Sequence, residues 1–338
     1  MVLKRDLREE DSTEIIIGER LRSFGERKTM REEKRKIVSK VDGLELELLV
    51  VEPDEVHAVV QISHGMCEHK ERYLEFMRFL AQHGIASIIH DHRGHGASVK
   101  SLNDLGYMYE QGAEGLVADL HQITLFARRC WEGVPLILLG HSMGSLAVRM
   151  YAKRYDRDID ALIVCGSPSK NSLLRLGIAI ASVQKHIFGS RHRCKLLEAL
   201  SFGPYAAKFR KEKSKFSWGC SDRDVVRRYE ESILCGFTFT ADGYLTLFGL
   251  MKETYSRDGW LCANPRLPIL FLGGTEDPCI GGSRKFAHAI RCMRRAGYGR
   301  VKAKFYPGMR HEILLEREKE SVYADVLHFI ERTRADGE

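Results

Sequence analysis

No segment of this chain is apolar for long enough to cross a membrane. The longest near-continuous apolar run, Leu176 to Val183, has eight residues, against the roughly 20 that a spanning helix needs. The N-terminus, Met1-Val-Leu-Lys-Arg-Asp-Leu-Arg-Glu-Glu, lacks the apolar stretch of a secretory signal. The nine cysteines include no Cys-x-x-Cys pair and no metal-ligand spacing. An odd, unpatterned set of thiols points to a reducing cytoplasm, with most of them filling core space. There is no internal repeat, no low-complexity tract and no nucleic-acid recognition motif. What is left is a globular composition, 44% hydrophobic and 29% charged over 338 residues. That length suits one large domain with an insertion, or two small domains.

The net charge is +7, and its distribution says more than its size. Eight Lys or Arg stand against two Glu between Arg191 and Lys215. Such a segment is either a solvated face or a surface drawn to an anionic membrane.

Residues 1–36 are dense in both signs of charge and read as a helical or loosely ordered extension, with Met30 as an alternative initiator ahead of the domain. From Ile37 the pattern changes. Leu44 to Val51 and Val56 to Ser63, split by Glu52-Pro53-Asp54-Glu55, read as a hairpin. Short apolar strands then alternate with helical periodicity: strands at Ile85 to His90, Pro135 to Leu139, Ala161 to Cys165, Pro268 to Leu272 and Val301 to Tyr306, helices at Gly112 to Trp131, Met143 to Arg154, Ser283 to Ala296 and Glu318 to Thr333. Strands apolar throughout, alternating with helices, indicate an α/β fold with a mostly parallel sheet covered on both faces. The alternation stops between about Pro168 and Arg257, too long a stretch for a connecting loop. The expected organisation is an extension (1–36), a core in two parts (37–169 and 258–338) and an inserted helical cap (170–257).

The chemistry is concentrated at Ser142. The run Pro135 to Leu139 breaks into Gly140-His141-Ser142-Met143-Gly144, and a helix follows. That is a Gly-x-Ser-x-Gly nucleophile elbow in its strand–turn–helix context, with Gly140 and Gly144 placed where a Cβ would collide. An activated serine needs a base, and the base needs an acid to orient it. Asp277, in Gly273-Gly-Thr-Glu-Asp-Pro278, and His311, in Pro307-Gly-Met-Arg-His-Glu312, each follow a late strand and are the predicted acid and base. Glu276 is the competing acid. Oxyanion donors are expected from the N–H groups of Met143 and of Met66, in the loop Ile62-Ser-His-Gly-Met-Cys-Glu-His69. Gly65 would let that loop turn inward and His64 would pin it. Asp91-His-Arg-Gly-His-Gly-Ala-Ser98 reads as a tightly hydrogen-bonded turn rather than a metal site, and Asp119 as the buried partner of a group near it. No cofactor and no metal are expected.

These three blocks, the elbow, the His64–His69 loop with Arg72-Tyr73, and the Asp91–Ser98 turn, together resemble the monoacylglycerol lipase and lysophospholipase branch of the α/β-hydrolases. The resemblance covers roughly residues 40–169 and 258–332. It implies an eight-stranded sheet, a cap over the serine and cofactor-free cleavage of carboxylic esters. It places the nucleophile on Ser142, the acid on Asp277, the base on His311 and the oxyanion donors on Met66 and Met143. Gly140, His141, Gly144, His64 and Gly65 support them. The cap, with Trp218 and Cys235-Gly-Phe237, is more similar to bacterial members called lysophospholipases.

The expectation is a cytoplasmic serine hydrolase of single-chain lipid esters, monoacylglycerol or lysophospholipid, with peripheral contact to an anionic membrane through the basic cap segment. The alternatives are a general carboxylesterase, a peptidase-like hydrolase on the same scaffold, and a catalytically idle ligand-binding member. A dehalogenase would want a carboxylate where Ser142 stands.

Overall fold

The computed structural model describes residues 15–21 and 30–335. The chain opens with strands β1 (Ile15–Leu21), β2 (Met30–Val38), β3 (Glu45–Pro53) and β4 (Ala58–Ser63). Helices and strands then alternate as α1 (Leu74–Gln82), β5 (Ile85–His90), α2 (Gly112–Cys130), β6 (Leu136–His141), α3 (Met143–Tyr155) and β7 (Ala161–Cys165). Four helices interrupt them: α4 (Leu174–Phe188), α5 (Lys195–Lys208), α6 (Arg223–Glu231) and α7 (Ala241–Tyr255). The chain finishes with β8 (Ile269–Gly274), α8 (Ser283–Ala296), β9 (Val301–Tyr306) and α9 (Lys319–Ala335).

Strands β4 to β8 are buried along their whole length, because helices cover both faces of the sheet. The period-2 alternation divides each strand between two cores. Leu138, Leu162, Val164, Ile269 and Phe271 join the core beneath α2, α3, α7 and α8. Ile137, Leu139, Ile163, Leu270 and Leu272 join the one beneath α1 and α9. Truncating one of these leucines to alanine should cost about 2–5 kcal/mol, since neighbours on both sides restrict collapse.

The strand order is β1-β2-β3-β5-β4-β6-β7-β8-β9, nine strands among the described residues rather than the eight expected. β5-β4-β6-β7-β8-β9 run parallel, and β1, β2 and β3 are antiparallel to their neighbours. The chain leaves β4 for β5 on one side and reaches β6 on the other, so β4 and β6 flank a topological switch point. Loops at the carboxyl ends of such strands diverge and leave a crevice.

Two expectations are corrected here. β3 and β4 do not form a hairpin: β5 lies between them, pairing antiparallel with β3 and parallel with β4. Alternation identified two strands but carried no information about which neighbour each would meet. The charged extension is also not helical where it is described, since β1 and β2 add to the sheet edge. The dense charge of β2 is met by its neighbours: Arg31, Lys34 and Lys36 reach Glu52, Glu47 and Glu45 of β3 across the ladder, and Glu32 pairs with Arg78 of α1.

Candidate active site

Ser142 stands between β6 and α3 at φ 53° and ψ −117°, a strained conformation for a residue with a Cβ, of order 1–3 kcal/mol. Its N–H donates to the Cys165 carbonyl of β7 at 3.0 Å. A Cβ on Gly144 would lie 2.0 Å from the Ser63 carbonyl oxygen, and one on Gly140 would lie 2.4 Å from that of Gly144. Only glycine permits this crowding, which presses the start of α3 against the end of β4.

His311 and Asp277 come from the loops after β9 and β8, adjacent parallel strands. Asp277 Oδ2 accepts from His311 Nδ1 at 2.8 Å, and Oδ1 accepts from the Cys279 N–H at 2.7 Å. With Nδ1 donating, His311 Nε2 is free to accept from the Ser142 hydroxyl, 2.8 Å away. Burial alone would depress the His311 imidazole, but the Asp277 carboxylate and its hydrogen bond outweigh it and hold the pKa above the ordinary histidine value. Glu276 turns outward to Lys208 of α5 at 3.0 Å, so only Asp277 of the two carboxylates meets the histidine.

The loop after β4 faces this group. A Cβ on Gly65 would meet Ser142 Cβ at 3.1 Å and Glu68 Oε1 at 2.6 Å. The N–H of Met143 opens α3 and so has no acceptor within the helix. Among the described residues, neither it nor the N–H of Met66 donates to a protein group. His64 fastens the loop from below: its Nε2 accepts from the His92 N–H at 2.9 Å, and its Nδ1 bonds the Gly65 carbonyl at 2.7 Å. His141 points away from the serine oxygen, toward the Tyr73 hydroxyl and Glu68 on one side and the His311 carbonyl on the other.

The Asp91–Ser98 turn is the floor of this arrangement. Asp91 accepts from the Lys70 backbone and ammonium and from the Ala97 N–H. Arg93 is fully buried against Asp119 and also reaches Asp42. His95 Nε2 accepts from the Cys67 N–H at 3.2 Å. Burial pushes His90 and His95 down to about 3, so both rings stay neutral; His95 serves as a hydrogen-bonding strut, while the His90 ring packs against that of His92.

The residue pattern did not foretell the bridge between the two loops. Arg72 makes paired bonds of 2.8 and 2.7 Å to Glu312 and one of 2.5 Å to Glu68, tying the Met66 loop to the His311 loop. Burial would raise the Glu68 carboxyl, but Arg72 and His141 pull it well below the usual carboxylate range. Glu312 directly follows His311, and a carboxylate beside a base is the signal that could have found it. The Trp218 ring, 5.2 Å from that of His311, closes the site from the cap.

A cavity of about 840 Å³ opens onto Ser142 and runs beneath the cap, within the 300–1,000 Å³ of small-molecule sites. Ile180, Leu197, Trp218, Phe237, Leu247 and Met251 are among its walls. Three carboxylates line it, and each has a partner: Glu68 and Glu312 share Arg72, while Glu198 takes the Thr238 hydroxyl and faces Lys215.

Residues 54–318 match the family described as serine aminopeptidase, S33. A monoacylglycerol lipase of Mycolicibacterium smegmatis is 27% identical over 294 residues, covering 86% of this chain and 94% of that one. A thermostable carboxyl esterase from Bacillus coagulans superposes with a TM-score of 0.82 at 22% identity, over 90% of this chain and 99% of that one. A monoglyceride lipase from Saccharomyces cerevisiae, solved with a substrate analogue, does so at 0.66 and 18%, over 87% and 94%. The superpositions speak for the fold, with its sheet and cap.

Proposed function

Since the chain belongs to the serine aminopeptidase, S33 family and is an α/β-hydrolase of the monoacylglycerol lipase-like kind, we propose that it cleaves carboxylic esters of single-chain lipids, a monoacylglycerol or a lysophospholipid, through an acyl-enzyme. The observation that carries this reading is the apolar-walled cavity ending at Ser142. His311 Nε2 takes the Ser142 proton as Oγ attacks the ester carbonyl. The resulting oxyanion accepts from the N–H groups of Met66 and Met143, each such donor being worth about 2.7–4 kcal/mol of barrier. His311 then gives its proton to the leaving alcohol, and the acyl group stays on Ser142. Water, deprotonated by the same imidazole, releases the fatty acid. Asp277 holds Nδ1 protonated and steadies the imidazolium in both halves.

The family takes its name from an aminopeptidase. Such an enzyme must hold a substrate ammonium, which calls for an unpaired carboxylate near the nucleophile. The carboxylates lining this cavity are all engaged, which favours a neutral ester. A catalytically idle member would not need the 2.8 Å bonds from serine to histidine to aspartate. A fluorophosphonate probe should label Ser142. Across 4-nitrophenyl esters from acetyl to palmitoyl, kcat/KM should rise toward medium and long chains, and monoacylglycerols and lysophospholipids should be hydrolysed. Faster turnover of acetyl esters would make it a general carboxylesterase, and release of N-terminal residues from peptides would make it a peptidase.

We also propose that the cap rests on an anionic membrane. Several of its cations are occupied internally: Arg191 with Asp104, Arg193 with the carbonyls of Leu105, Thr238 and Asn103, and Lys208 with Glu276. Lys195, Arg210, Lys211 and Lys213 are exposed, as are Leu196 and Leu200 of α5. Each cation near an anionic leaflet contributes up to about 1 kcal/mol.

A further inference from the structure

We propose that Asp277, Cys279 and His311 form a site for a borderline-soft divalent cation such as zinc, and that filling it switches the enzyme off. A carboxylate oxygen, the thiol sulfur and an imidazole nitrogen lie within 4.8 Å of one another. Zinc binds thiolate at about 2.3 Å, imidazole at about 2.0–2.1 Å and carboxylate at about 2.0–2.2 Å. Around a tetrahedral ion those bonds set ligand atoms roughly 3.5 Å apart, so small side-chain rotations close the site. Oxygen, nitrogen and sulfur donors are the set zinc takes, whereas magnesium or calcium would want oxygens alone. All three side chains are buried, but Cys279 and His311 also face the cavity. The cavity therefore supplies both the approach and the fourth position, for a water.

The loop explains the arrangement. Asp277 and Cys279 lie two residues apart, and the Cys279 N–H already bonds Asp277 Oδ1. That turn keeps the thiol within 4.8 Å of both the carboxylate and the His311 ring. The thiol is protonated beforehand, because burial and the neighbouring Asp277 charge push it well above its ordinary value. Binding forms the metal–sulfur, metal–nitrogen and metal–oxygen bonds and releases the thiol proton to solvent. If the ion takes Nδ1, the proton there moves to Nε2, which then donates to Ser142 and has no lone pair for its proton. If the ion takes Nε2, the base is blocked outright.

The inhibitory consequence rests on His311 acting as the base; the metal site does not. The test separates the two. Ser142→Ala protein, without its nucleophile, is titrated with Co²⁺, and thiolate-to-cobalt charge-transfer absorption is expected, absent from Ser142→Ala/Cys279→Ala. In parallel, ester hydrolysis by otherwise wild-type protein is measured against Zn²⁺, each rate relative to the same variant without metal. Cys279→Ala should raise the inhibition constant at least tenfold, and EDTA should restore the rate. His288→Ala serves as control, removing a different close His–Cys pair, His288 and Cys292 at 3.8 Å; its inhibition constant should match wild type. Equal inhibition of wild type and Cys279→Ala, or no cobalt–thiolate band, would overturn the site. A band with no effect of zinc on hydrolysis would instead overturn the inhibitory switch.

Discussion

In β4 to β8 every side chain is buried, whereas α4 and α5 of the cap bury only Ala181 and Leu197. Leu176, Val183, Ile187, Phe188, Leu196 and Leu200 stay exposed there. The last cap helix behaves like the sheet instead: α7 buries Tyr244, Phe248 and Leu250 in the core it shares with α2 and α3. The boundary between rigid scaffold and adaptable cover therefore runs through the insertion. Atoms that must be placed to within tenths of an ångström hang from close-packed strand ends. Under the proposed function, the atoms that would meet an acyl chain or a lipid surface hang from two helices that bury few side chains completely.

Changes on the scaffold should abolish chemistry on every ester, and changes on the cover should alter only long or membrane-bound ones. The largest effect is expected from Ser142→Ala, a loss on the order of 10⁶ in kcat with the melting temperature nearly unchanged. Activity within tenfold of wild type would remove Ser142 from the mechanism. Asp277→Asn should cost on the order of 10⁴ by favouring the wrong histidine tautomer, while Glu276→Gln, whose partner is Lys208, should cost far less. Reversed losses would transfer the acid role to Glu276.

Arg72→Ala should lower unfolding free energy by about 3–5 kcal/mol, because it leaves the buried Glu68 and the half-buried Glu312 without their cation. Denaturant melts would show it, and a change under 1 kcal/mol would mean the bridge between the two loops is dispensable. The pH profile of kcat/KM should rise along one ionisation whose midpoint lies above the ordinary histidine value of about 6.5, because His311 is raised and acts only when neutral. Asp277→Asn should move residual activity's midpoint downward. A wild-type midpoint below 6.5 would contradict the raised imidazole.

The smallest effect belongs to the cover. Changing Lys195, Arg210, Lys211 and Lys213 to Gln should weaken co-sedimentation with anionic vesicles at low salt and leave kcat on a short soluble ester alone. The difference should fade as salt shortens the screening length to a few ångströms. Equal vesicle binding by both proteins would make the cluster a solvated face.

The elbow was legible in the sequence because everything that shapes it is local: a strand, two glycines and a helix within a few residues of Ser142. The loops bearing Asp277 and His311 were legible because each follows directly on a short late strand. Pairing partners were not. Period-2 alternation marks which faces are buried but not which strand lies alongside, so β3 was given the wrong neighbour and the charged β2 was not seen as a strand. The Arg72 bridge, the outward turn of Glu276 and the occupation of the cap's cations likewise depend on residues from dozens to hundreds of positions apart. Composition and motif determined the chemistry this chain can attempt. Only tertiary packing decided which carboxylate meets the histidine, which cations remain free and where the thiol of Cys279 lies, because each of those is a distance between segments that the chain brings together only on folding.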